Sequence, residues 1–398
     1  MPLTGTFDVE TFSSGDDVTQ TLRYFDHYAS KVSRATAIEK GFNVYQYGYP
    51  WETVVKKDFT EKTTKLYAHG RISYEMAYVM PDNKTVYGTD DGTNCVFTMM
   101  KLKKEKDLKE GTNFCMKMTQ TSPAGGDVKD FKGDIEWIEM PTPTHAEAEA
   151  AIKTKPSFYS LFDFESCNAD GTCPTMGFKS INVGIPVGNC TTAGIAEGLC
   201  AGACECLKVK TGMEKIAAVL EKKRYAAYLG CTLEFYRWEG ITYDPDSKKA
   251  YTAISNVGRG MNDGDAVYDK GGPNHLKMTA NSCGCVMEMD IDAEMKATKA
   301  RMLVCGKAST ASPIPAAGSF KDSCDVNGIA NPDNVAVIPK AKQVPPQFPP
   351  RRSRLDPFRM MLIDCAGACL LRGSSSSART PARTSQTSSG FMISTLRL

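Results

Sequence analysis

The feature that most constrains this 398-residue chain is a strand-turn-strand unit that occurs twice with the same internal spacing. In YEMAYVMPDNKTVY, Glu75 is followed six residues later by Pro81-Asp82 and twelve later by Tyr87. In WEGITYDPDSKKAY, Glu239 is followed at the same offsets by Pro245-Asp246 and Tyr251. DNVAVIPKAK carries a shorter third copy, with Asp333 six residues ahead of Pro339. Each copy reads as an acidic residue, a strand and a proline-containing turn, and the two full copies add a second strand. Recurrence of such a unit between other β segments is what a propeller produces, because each blade is a small meander whose first strand lines a central channel.

The segments between the copies fit that reading. Residues 71–103 alternate apolar and β-branched runs with turn residues, and DFKGDIEWIEM, EFYRWEGITYDPDSKKAYTAISNV and CGCVMEMDI repeat the pattern. Two helical insertions interrupt it. Over 211–228, Thr211-x-x-Glu214 forms a capping box ahead of Met213, Ile216, Ala217 and Leu220 at helical spacing; the second insertion is HAEAEAAIKT at 145–154. The expected class is therefore all-β, a β-propeller with helical insertions. Equivalent positions of a propeller face one axis, so Glu75, Glu239 and Asp333 would enter the channel from three blades. Three carboxylates in a confined space repel unless protons or cations intervene, and hard cations such as calcium suit oxygen donors. The competing account is that Glu75 and Glu239 cap turns or pair with Arg71 and Arg237.

Composition narrows the function classes. With 48 Lys+Arg against 46 Asp+Glu, the formal charge of +2 gives no field that would gather nucleic acid. No uninterrupted apolar run of about 18 residues exists to span a bilayer. The charge is nevertheless uneven: residues 341–398 hold Lys342 and eight Arg against Asp356 and Asp364. This stretch contains VPPQFPPRRSRLDP and GSSSSARTPARTSQTSSG, compositions that bury too little apolar surface to order a chain. It is expected to be a disordered basic tail, either a tether or a reading-frame artefact joined after Lys340.

Cysteine is abundant, with 15 residues and an odd count. Cys200-x3-Cys204-x-Cys206 and Cys283-x-Cys285 lack the doubled C-x2-C spacing of a zinc site. An oxidising compartment fits better, with disulfides among Cys190, Cys200, Cys204 and Cys206, although free structural cysteines would look similar. Residues 1–20 have neither the basic nor the apolar region of a secretory leader and read as a flexible N-terminal segment. No G-x-S-x-G, HExxH or GxxxxGK[ST] motif occurs, which removes the common serine-hydrolase, zincin and P-loop chemistries.

Four blocks carry a resemblance. GRISYEMAYVMPDNKTVYGTDDGTN, KDLKEGTNFCMKM, EKKRYAAYLGCTLEFYRWEGITYD and IANPDNVAVIP are together similar to PhoX-type alkaline phosphatases over residues 21–340. The resemblance implies a secreted six-bladed β-propeller that hydrolyses phosphomonoesters with a calcium and iron cluster in its channel, and a monomer where the ring is complete. It implies that Glu75 and Glu239 are metal ligands and that Asp333 and Asn334 supply a third position. In TDDGTN, one of Asp90 and Asp91 would bind calcium and the other cap the Gly92 turn. Strand alternation puts Arg237 on the face of Glu239, where its guanidinium would hold a phosphate oxygen or balance the glutamate; Arg71 is a weaker candidate of the same kind. Trp137 and Trp238 would pack between blades. His27, His69, His145 and His275 share no ligand spacing, and none is assigned to metal. The family's N-terminal Pro-Trp-Gly-Thr segment and closing Gly-Glu-Asp and Glu-Thr strands find no match, so the propeller is expected to be incomplete at both ends. The alternative function is an inactive propeller that binds calcium or a protein partner.

Overall fold

Each of the two full repeats turns around an aspartate. Asp82 accepts the backbone N–H of Lys84 at 3.0 Å and of Thr85 at 2.9 Å, and Asn83 takes a left-handed φ of 54°. In the second copy the acid stands before the proline: Asp244 accepts the N–H of Asp246 at 3.1 Å and the hydroxyl of Ser247 at 2.7 Å, and Lys248 takes a φ of 56°. Side-chain bonds of this kind reverse the chain within a few residues, so the flanking strands meet as hairpins.

The computed structural model describes residues 43–188, 200–308, 324–325 and 327–337, with short pieces at 193, 360–363 and 392–394. The segment 1–20, most of the tail 341–398, Cys190 and the side chain of Cys200 lie outside the described residues. A hairpin of β1 (Trp51–Val55) and β2 (Glu61–Lys65) precedes the first meander. That meander consists of β3 (Tyr74–Val79), β4 (Thr85–Asp90), β5 (Thr98–Leu102) and β6 (Gly111–Gln120). β7 (Lys132–Met140) and α1 (His145–Lys153) follow. β8 (Phe162–Ser166), β9 (Lys179–Gly188) and β10 (Cys200–Val209) form a separate sheet in the order β8-β10-β9. Helices α2 (Glu214–Leu220) and α3 (Lys222–Leu229) lead into the second meander. Its strands are β11 (Trp238–Asp244), β12 (Lys249–Ile254), β13 (Cys285–Ile291) and β14 (Ala297–Cys305), and β15 (Asn334–Val337) lies against β11.

The protein is thus mostly β and antiparallel, as the sequence implies. Both full repeats become complete four-stranded meanders, the form of a propeller blade. β7 pairs with β6 on one side and β14 on the other, which joins the two meanders into one nine-stranded sheet. The sheet nearly closes on itself, because its two end strands, β3 and β11, lie against each other. These are the strands that carry Glu75 and Glu239.

Aromatic rings fill the space between the meanders. Trp238 is stacked on Phe97 with centroids 4.5 Å apart, Phe97 on Tyr87 at 5.3 Å, and Trp137 leans on both Tyr87 and Phe97. The indole N–H groups are satisfied: Trp238 donates to Thr252 Oγ1 at 2.7 Å and Trp137 to the Ala297 carbonyl at 2.8 Å. Burying such rings while pairing their polar atoms is a strong source of cohesion.

The helices differ from expectation in one respect. α1 occupies its expected place, with Thr144 and Glu147 closing a capping box. The 211–228 stretch is two helices rather than one, and no side-chain cap forms at its start. Gly212 takes a left-handed φ of 83°, so the helix begins at Glu214 and Thr211 cannot reach its first turn as a cap. The break falls at Glu221, whose carboxylate meets Arg224 at 2.9 Å, the Tyr45 hydroxyl at 3.0 Å and Arg71 at 3.7 Å. Arg224 also forks onto Glu205 at 2.7 and 2.9 Å. All four charged groups are buried.

Five disulfides join described residues: Cys115–Cys231, Cys167–Cys204, Cys173–Cys206, Cys283–Cys324 and Cys285–Cys305. Cys204 and Cys206 are bridged, but each to a cysteine of the loop between β8 and β9. Cys95 is free and buried. The Cys115–Cys231 bridge spans 116 residues and ties β6 to the chain just beyond α3. Replacing both cysteines by alanine is expected to lower the unfolding free energy by about 2–5 kcal/mol, read as an earlier midpoint in urea; an unmoved midpoint would show that the bridge adds no stability.

Candidate metal centre

Glu75 and Glu239 stand at matching irregularities of their strands. In β3, Tyr74 pairs with Asp90 and Met76 with Thr89, which leaves Glu75 without an opposing residue. In β11, Trp238 pairs with Ile254 and Ile241 with Thr252, so Glu239 and Gly240 together face one residue of β12. A bulge of this kind turns a side chain out of the regular up-down alternation. Because β3 and β11 abut, both re-aimed carboxylates enter one space, and Asp91, at the end of β4, joins them. Glu75, Asp91 and Glu239 each place an oxygen within 4.8 Å of the others.

Two unit charges about 5 Å apart repel by roughly 3 kcal/mol at an effective dielectric near 20, and burial adds to that. The glutamates respond by holding their protons. Burial, then the charges of Asp333 and Asp91, push Glu75 up to about 7. Burial and Asp91 push Glu239 up to about 8, against a lowering hydrogen bond from Ser255, whose hydroxyl donates to Glu239 Oε1 at 2.7 Å. No described Lys or Arg forms an ion pair with any of the three. An oxygen-only set of acids without an ion pair among the described residues fits a hard cation, and calcium and ferric iron both accept such donors.

The remaining sequence candidates distribute around this centre. Asp333 lies outside the 4.8 Å group but its charge acts on both glutamates. Its carbonyl accepts the N–H of Gly240 at 2.9 Å, and Asn334 donates to its carboxylate at 3.0 Å. Asp90 is not in the group. It is fully buried, accepts the N–H of Ser73 at 3.0 Å and of Val96 at 3.1 Å, and lies 3.5 Å from the Lys223 ammonium. The Gly92 turn is thus closed by Asp90, while Asp91 faces the glutamates.

Arg237 does not follow strand alternation, because it precedes β11 and takes a left-handed φ of 56°. It is exposed, with its guanidinium 5.6 Å from the centre of the Tyr236 ring, and it feels the charges of Asp91 and Glu239 without an ion pair to either. Arg71, by contrast, is only 1 % exposed and is committed to Glu221 and the Leu220 carbonyl, so neither pairing with Glu75 nor phosphate binding is open to it. Sequence reasoning missed Ser255, Lys223 and Arg259. Arg259 donates to Thr93 Oγ1 and lies over the rings of Tyr236 and Tyr268 at 4.4 and 5.1 Å. None of the three carried a local signal; the bulge itself did, in the glycine after Glu239.

The fold and site define a β-meander protein with an acidic cluster between two abutting strands. The family profile described as Alkaline phosphatase PhoX matches residues 8–342, and the chain belongs to that family. No curated protein matches it. Among solved structures it is similar to Pseudomonas fluorescens PhoX in complex with vanadate, a transition state analogue, at 16% identity and a TM-score of 0.43. That match covers 74% of this chain and 42% of the Pseudomonas chain.

The raised glutamates fix the sign of a pH dependence. Between the ordinary glutamate range and pH 7–8, the folded protein keeps protons that the unfolded chain has released. Stability of the metal-free protein therefore falls as pH rises through that window. The melting temperature of chelator-treated protein should drop between pH 5 and pH 8.5, and Glu239→Gln should drop less. Equal profiles for the two proteins would contradict the crowding of these carboxylates.

Proposed function

We propose that this chain is a metal-dependent phosphomonoesterase acting at the Glu75–Asp91–Glu239 centre. The observation that carries the reading is the meeting of three acids from separate segments, with no ion pair to any described Lys or Arg and with the exposed Arg237 near them, in a chain of the alkaline phosphatase PhoX family. Glu75, Asp91 and Glu239 would hold calcium and iron, with Asp333 and Asn334 closing the open side. Bound there, these ions would supply Lewis acidity toward a phosphate ester.

The chain's own residues would orient the reaction. Ser255 fixes one oxygen of Glu239 by its hydroxyl, leaving the other free for a ligand. The left-handed backbone at Arg237 projects the guanidinium outward, where its forked N–H groups suit two oxygens of a phosphoryl group. A site that grips the phosphoryl half in this way would accept many alcohols. Five disulfides support an oxidising, extracellular setting. Among the described residues, no helix is long and apolar enough to cross a membrane.

Hydrolysis of p-nitrophenyl phosphate by the full chain, supplied with calcium and iron, tests the reading. Glu239→Gln and Arg237→Ala should each lower kcat/KM by about 100-fold or more, with Arg237→Lys intermediate. Calcium binding without turnover in the wild type would remove the catalytic role and leave a cation-binding protein.

A further inference from the structure

Asp90 and Asp91 are sequence neighbours with opposite surroundings, and Lys223 makes the difference. Lys223 belongs to α3, remote in sequence from both, and its side chain is 7% exposed. Its ammonium sits 3.5 Å from Asp90 Oδ2 and donates to the Thr93 carbonyl at 2.7 Å. It therefore touches both ends of the arch formed by residues 90–93. The interior of the same arch is joined to the centre: Asp91 donates its N–H to the Ser73 carbonyl at 2.9 Å, and the Gly92 carbonyl accepts the N–H of Arg237 at 2.8 Å. From β9, Gly184 closes on the arch so tightly that a Cβ there would lie 2.6 Å from the Thr93 oxygen.

We infer that Lys223 is a positioning residue, which clamps the arch so that Asp91 meets Glu75 and Glu239 in a cation-binding arrangement. This rests on the cation centre proposed above. Two effects of the lysine have opposite signs. Its positive charge, acting alone, repels a nearby cation, so its loss would tighten binding. Its hold on Asp90 and Thr93 favours binding, so its loss would weaken it. The second effect dominates, because the arch's ties to Ser73, Val96, Arg237 and Arg259 neither hold the Thr93 carbonyl nor neutralise Asp90.

Calcium titration of the full chain by calorimetry at pH 8.5 reads the sign, with Glu239→Gln as the reference for binding elsewhere on the protein. Lys223→Met should weaken calcium binding by about 10–100-fold, the range typical of lost support to a metal ligand, and Lys223→Arg should recover most of it. Should the single variant fail to fold with Asp90 left unpaired, Lys223→Met combined with Asp90→Asn removes that charge and should show the same weakening. Unchanged or tighter binding in the folded variant overturns the inference while leaving the centre intact. Absence of wild-type binding above Glu239→Gln overturns the centre and the inference together.

Discussion

Repulsion among carboxylates brought partly out of water is the interaction around which the described structure is arranged. Three acids within 4.8 Å cannot all be charged in a half-buried space without a counter-ion. Among the described residues no lysine or arginine pairs with them, although cations stand close by. The protein raises two glutamates toward neutrality and holds the acids together with a scaffold stiff enough to resist their separation. That scaffold is the closure of β3 against β11, backed by the Tyr87–Phe97–Trp238 stack, whose last member is the residue before Glu239. Strand and ring packing thus oppose an electrostatic push.

The treatment of the site contrasts with the charges behind it. Around α3, Arg224, Glu205, Glu221 and Arg71 are as buried as any groups in the molecule, yet each has a partner of opposite sign. Such a network has large desolvation costs, and removing one member would leave a charge stranded at a cost of about 3–5 kcal/mol. Asp90 follows the same rule, satisfied by two backbone N–H groups and Lys223. One residue later, Asp91 breaks it. Among the described residues, Glu75, Asp91 and Glu239 thus form an acidic cluster to which no Lys or Arg is ion-paired, in contrast to the network around α3.

The fold was legible where periodicity alone decides it. The spacing from Glu75 to Tyr87 and from Glu239 to Tyr251 maps onto strand, turn and strand, and the HAEAEAAIKT stretch onto α1. Legibility failed wherever one residue left its regular backbone region. A two-residue period cannot reveal a bulge, so alternation from Glu239 misplaced Arg237, which lies before the strand in the left-handed region. Gly212 likewise displaced the helix start from the apparent capping box. Choosing between Asp90 and Asp91 required Lys223, more than a hundred positions away, and disulfide partners depend on the same long-range proximity. Spacing found the acids, and three-dimensional contacts decided which of them meet.

The third copy of the repeat shows how the two levels connect. It does not add another meander to the described sheet; it lays β15 along β11 and brings Asp333 to the edge of the centre. That approach depends on Gly240. The position a Cβ would take there is 3.0 Å from the Asn334 side-chain oxygen and 3.2 Å from the Asp333 carbonyl, so a larger residue would require these neighbours to give by a few tenths of an ångström. The same glycine sits in the bulge that re-aims Glu239. A single residue without a side chain therefore serves two acids at once, turning one inward and leaving room for the other. The bulge is best understood as part of the site's construction, since a regular strand at this place would lose both.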